Sequence, residues 1–106
     1  MPKFLIEGNY SADGIKGVLK EGGSGRKEAV ETALKAMGGK LESIYYAFGE
    51  TDVFVTIDVP DNVTAAALAM GIASTGLVSL KTHVLLTVDE IDRAGKKTIS
   101  YRAPGR

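Results

Sequence analysis

Cysteine is missing from all 106 residues, and with it go disulfides, thiolate metal ligands and cysteine nucleophiles. Histidine occurs once and proline three times. A lone histidine makes a zinc site only with two or three carboxylates beside it, so no metal and no cofactor are expected. Charge of one sign is also lacking. Thirteen basic residues balance thirteen acidic ones, so no net field draws nucleic acid or an anionic membrane surface. Neither the phosphate-loop spacing nor a nucleophile elbow is present. The one long run without charge, Asn62 to Leu80, is interrupted by Gly71, Ser74, Thr75, Gly76 and Ser79. It reads as a short buried helix followed by a strand, not as the ~20 apolar residues of a membrane span. Met1-Pro2-Lys3 runs straight into a strand, which leaves no room for a signal peptide, and the expected compartment is the cytoplasm.

What is there suits one globular domain. A hydrophobic fraction of 44% and a charged fraction of 25% are ordinary, and a chain of this length buries roughly 65% of its unfolded surface. Lys3–Tyr10 alternates as a strand, with Phe4 and Ile6 on one face and Leu5 and Glu7 on the other. Ser11 caps a short helix whose stripe is Ile15, Val18 and Leu19. The glycines of Glu21–Gly25 break that helix, and Ser24 is expected to cap a second piece, Arg26–Met37, packed through Val30, Leu34 and Met37. Lys40–Phe48 and Thr51–Val59 form an antiparallel hairpin about a tight turn at Gly49-Glu50. Val53, Val55, Ile57 and Val59 supply its buried side. Asp61 caps the next helix, with Val63, Ala66, Ala67 and Met70 facing the sheet. Leu77–Val88 is the last strand, and Thr87 with Glu90 is a capping box opening one or two further turns. Residues 95–106 read as an extended tail behind a domain of residues 1–94.

The order β-α-β-β-α-β is that of the α+β, ferredoxin-like split βαβ fold, a four-stranded antiparallel sheet with both crossover helices on one face. The other face is left open and carries Leu5, Phe54 and Leu85 among Glu7, Asp58, Lys81 and His83. Large apolar groups there call for a partner, and a second copy would meet the face with itself. Leu5, Phe54, Asp58, Lys81 and Leu85 are the expected interface residues of a homodimer or higher homo-oligomer.

Four stretches, Ser11-Ala12-Asp13-Gly14-Ile15-Lys16, Gly38-Gly39-Lys40-Leu41, Tyr46-Ala47-Phe48-Gly49-Glu50-Thr51-Asp52 and Val59-Pro60-Asp61, together resemble the GYD-domain family. The resemblance runs from about Lys3 to Ala94. It implies the dimeric α/β barrel type, in which two ferredoxin-like sheets pack across an interface. It brings no agreed activity, since relatives by fold include cofactor-free monooxygenases, isomerases and haem-binding proteins. Thr51 stands where the family's namesake tyrosine is usual, which removes any stacking contact that ring makes in relatives.

Candidate chemistry is sparse. Glu50 and Asp52, two residues apart, share a face if both are in strand geometry, and close carboxylates make a general acid or base. The alternative is a solvated turn residue beside a strand cap. His83 is either a proton carrier or a hydrogen-bonded interface residue, with Lys81 next but one along the strand. Lys16 and Arg26 near a helix start are candidate anion ligands, and Tyr45 and Tyr46 candidate ligand contacts in place of the missing tyrosine. Three functional classes follow. One is a small-molecule-binding or interaction module. Another is a cofactor-free enzyme moving a proton on a small organic molecule, with a pocket between sheet and helices. A purely structural oligomer is the third.

Overall fold

Alternating apolar residues make the sheet, and the computed structural model, which describes residues 1–106, places the elements as β1 (Lys3–Tyr10), α1 (Ala12–Ala36), β2 (Lys40–Tyr46), β3 (Val53–Asp58), α2 (Asn62–Ala73), β4 (Val78–Leu85) and α3 (Val88–Gly95). The strand order is β2-β3-β1-β4, and every neighbouring pair is antiparallel. This is the split βαβ arrangement with one added C-terminal helix. The core lies between one sheet face and the two crossover helices. Phe4, Ile6, Val53, Val55, Ile57 and Val59 meet Leu34 of α1 and Ala65 and Leu68 of α2.

Local capping chemistry sets the helix starts. The Ser11 side chain accepts from the Gly14 N–H at 3.1 Å, and Asp61 accepts from the Thr64 N–H at 2.8 Å. Thr87 and Glu90 close the reciprocal capping box.

Several expectations are corrected. The glycine break in α1 is present, with two helical arms meeting at a kink, but the second arm starts earlier than Arg26. Gly22 alone leaves helical geometry, at φ 76° and ψ 166°, and helix resumes at once, so Ser24 lies inside the second arm and does not cap it. Ile15 and Leu19 of the first arm are exposed, and Gly14 is its buried residue. The β2–β3 connection is a loop over residues 47–52, not a tight turn. It is closed by a bond from the Ala47 N–H to the Asp52 carbonyl at 2.9 Å, and it shortens both strands relative to expectation. Strand β4 likewise ends at Leu85, where the chain turns into the α3 cap. Helix α2 turns a different side to the sheet. Ala65 and Leu68 are 3% and 6% exposed, whereas Val63 and Met70 are 78% and 72% exposed. With no charged residue to mark a wet side, the sequence of α2 carries no facing signal.

Helix α3 and the tail pack little against this body. No residue of α3 is buried, although Val88 and Ile91 line one side of it. The Cα radius of gyration is 16.9 Å, against about 13 Å for a compact domain of this length.

Candidate functional site

Two places gather polar groups, one on each side of the sheet. The first is a cleft of about 210 Å³ where the end of β1, the first arm of α1, the end of α2 and the start of β4 meet. Its approach is fixed by backbone chemistry. The Ser11 N–H donates to the Leu77 carbonyl at 2.8 Å, and the Ser11 hydroxyl donates to the same oxygen at 3.2 Å. Helix α1 therefore starts directly against β4, and only a glycine fits there, since a Cβ on Gly14 would stand 2.1 Å from that oxygen. Ile72, Leu77 and Val78 form the apolar wall, while Tyr10, Glu21 and Arg26 bring the polar groups. A deeper hollow of about 50 Å³ adjoins it, sharing Arg26, Ile72 and Val78 and otherwise lined by core residues such as Val30, Val53 and Leu68.

Arg26 is half-buried and meets Glu21 at 3.5 Å, a loose contact on either side of the Gly22 bend. Tyr10 was not singled out from the sequence, where it reads only as the last strand residue. Burial pushes its phenol above the ordinary 10.0, with Tyr46 adding to the effect and Arg26 opposing it. The phenol therefore stays protonated as a donor at neutral pH. Tyr46 reaches toward the same region from β2, its hydroxyl donating to the Gly23 carbonyl at 3.4 Å.

The second place is the open sheet face. Register puts Leu5 between Thr56 and His83, Glu7 between Phe54 and Lys81, and Lys3 between Asp58 and Leu85. Its charges are largely matched within the chain. Lys3 donates to both Asp58 oxygens, at 3.2 and 3.0 Å, and also pairs with Glu42. Burial pushes the Asp58 carboxyl up, but hydrogen bonding and the Lys3 charge outweigh this and hold it below 3.8. Glu7 sits at the centre of a second group, with the His83 Nε2 at 2.5 Å and the Thr51 hydroxyl donating at 3.1 Å. The His83 hydrogen bond, then that of Thr51, holds the Glu7 carboxyl below its ordinary 4.5.

The proposed chemical residues are scattered. Glu50 is exposed in the loop. Asp52 has a structural engagement, its side chain accepting from the Tyr10 N–H at 2.9 Å and its N–H donating to the Gly8 carbonyl at 3.0 Å. His83 lies on the open face, and none of the three lines the cleft. Lys16 is exposed, 3.9 Å from Asp13 and outside the cleft, whereas Arg26 is in it. Tyr45 pairs with Phe54 across the open face. No group of three or more His, Asp or Glu side chains converges as a metal site, and no helix is long and apolar enough to cross a membrane.

A four-stranded antiparallel sheet backed by two crossover helices, with a cleft at their ends, defines a ferredoxin-like α+β domain. More narrowly, the chain belongs to the GYD-domain family, whose profile matches residues 4–94. The match ends within α3, one residue before the helix does. No curated protein and no solved structure gives a significant match.

Proposed function

We propose that this GYD-domain protein is a small-molecule-binding module that works as a homo-oligomer assembled through its open sheet face. The cleft carries the binding half of the reading. It is concave and walled by apolar side chains, with a few convergent polar groups at one end, which is the anatomy of ligand sites in general. The cofactor-free enzyme reading needs an acid or base facing that space. The groups there are Tyr10, Glu21 and Arg26, and the geometry supports holding a ligand more directly than moving its protons.

The assembly half rests on the uncovered face. Leu5, Phe54 and Leu85 are only half-buried in the single chain. The ion pair of Asp58 with Lys3 and the hydrogen bond of Glu7 with His83 give these polar groups partners within the chain before a second copy covers them. The exposed apolar side of α3 is a further surface of the same kind.

Gly17→Leu tests the cleft. Gly17 lines it, and a Cβ there meets nothing within 4 Å, so the larger side chain enters open space. Neutral monocyclic fragments such as benzamide should shift the amide resonances of Gly14, Thr75 and Leu77 in the wild type and leave a folded Gly17→Leu variant unchanged. Equal shifts in both proteins would place binding elsewhere.

A further inference from the structure

We propose that the cleft selects a small monocarboxylate: one carboxylate on an apolar body about the size of a benzene ring, held by Arg26 and Tyr10 in competition with Glu21. The inference rests on the binding reading above and adds the chemical class of the ligand.

Size comes first. An engineered protein cavity of about 150 Å³ holds benzene, and this cleft offers about 210 Å³, with a mostly apolar annex of about 50 Å³ beyond it. A ring or short branched chain with one polar head fits; a nucleotide does not.

Charge selects the head. Arg26 has five N–H donors in a planar fork, and its side-chain partners are Glu21, a single contact at 3.5 Å, and the neighbouring Tyr10 phenol. Most of that fork is free for a planar carboxylate, which Arg meets with two parallel bonds. Burial keeps the Tyr10 phenol protonated beside it, as a further donor. The balance of charge also limits the ligand. Arg26 and Glu21 sum to zero at the mouth, so a dianion such as a phosphate monoester would meet one cation and one anion. A monoanion needs only to displace Glu21, which is exposed and lies at the Gly22 bend. Glu21 thus acts as an internal competitor that holds Arg26 when the cleft is empty.

The test is binding to the full chain, followed by amide shifts, of benzoate and isovalerate against their neutral amides. In the wild type each acid should bind more tightly than its amide. Arg26→Gln should weaken the acids tenfold or more and leave the amides within twofold. Glu21→Gln should do the opposite, tightening the acids several-fold, and a gain in binding is a result that loss of folding does not mimic. Amides binding as well as the acids, or no tightening in Glu21→Gln, would overturn the carboxylate assignment and leave the cleft as a neutral-ligand site. Failure of acids and amides alike to perturb the cleft amides at millimolar concentration would overturn both readings.

Discussion

Alanine at Gly14 and alanine at Gly17 are the same substitution three positions apart in one helix, and they should shift stability in opposite directions. On helix propensity alone each gains about 1 kcal/mol. At Gly17 the new Cβ meets nothing within 4 Å, so that gain is expected almost in full. At Gly14 the Cβ falls 2.1 Å from the Leu77 carbonyl oxygen, 3.1 Å from its carbon and 3.2 Å from the Tyr10 ring. Ordinary carbon–oxygen contacts begin near ~3.3 Å, so the helix start or β4 must move by about 1 Å. Neither is a flexible side-chain end. The displacement breaks or stretches the two bonds that Ser11 donates to the Leu77 oxygen, each with a net worth of about 1 kcal/mol. Residual overpacking adds a further ~1 to 3 kcal/mol. After subtracting the propensity gain, Gly14→Ala should destabilise by about 2 to 4 kcal/mol and Gly17→Ala should stabilise by up to about 1 kcal/mol. Urea unfolding followed by circular dichroism reads both, with unchanged m values marking a true stability effect. Equal stabilisation by the two variants would show that α1 does not start against β4 as described, and the cleft would lose its wall.

Two other expectations concern the open face. If the proposed homo-oligomer forms, Phe54→Asp or Leu85→Asp should convert it to monomer in sedimentation velocity while leaving far-ultraviolet dichroism intact; a wild type already monomeric at micromolar concentration would refute the assembly. Glu7, with its carboxyl held below 4.5, contributes stability that is complete above that value and lost as pH falls through the lower folded-state value. Glu7→Gln should therefore flatten part of the stability loss as pH falls below 4.5 in denaturant titrations. Asp58, Asp61 and Glu90, also held low, retain the remainder; wild-type and variant curves running parallel there would remove the Glu7–His83 bond from the account.

What the sequence showed and what it hid follow a physical division. Features carried by neighbours along the chain were legible: alternation in β1 and β3, the caps at Ser11 and Asp61, and the Thr87–Glu90 box. The order of elements followed from these, and with it the split βαβ topology. Facing was legible only where polarity marked it. Helix α2 has small apolar residues all round, so Val63 and Met70 looked as good a core stripe as Ala65 and Leu68, and the structure uses the latter. The cleft was hidden for a different reason. Its members, Tyr10, Gly14, Arg26, Ile72 and Val78, come from four elements and meet through the contact of Ser11 with Leu77, 66 positions apart. No local spacing encodes that contact. Arg26 was noticed as a cation near a helix start, and it reaches the cleft from the arm that begins just beyond the Gly22 kink.

The stretch Gly49-Glu50-Thr51-Asp52 is where sequence chemistry and structure diverge most usefully. Two carboxylates at that spacing invite an acid–base reading. In the fold Thr51 and Asp52 instead serve the two sides of the sheet. Thr51 donates to Glu7 on the open face, so the position usual for the family's tyrosine lies beside the Glu7–His83 pair and not in the cleft. Asp52 binds the backbone on either side of Asn9, accepting from the Tyr10 N–H while its own N–H reaches the Gly8 carbonyl and the Asn9 side chain. That ties the start of β3 to the end of β1, where the Tyr10 phenol leaves for the cleft. The carboxylate offered as either an acid–base group or a strand cap thus holds the backbone of Tyr10, the proposed ligand contact. The same short loop braces the cleft on one side of the sheet and the proposed self-association surface on the other.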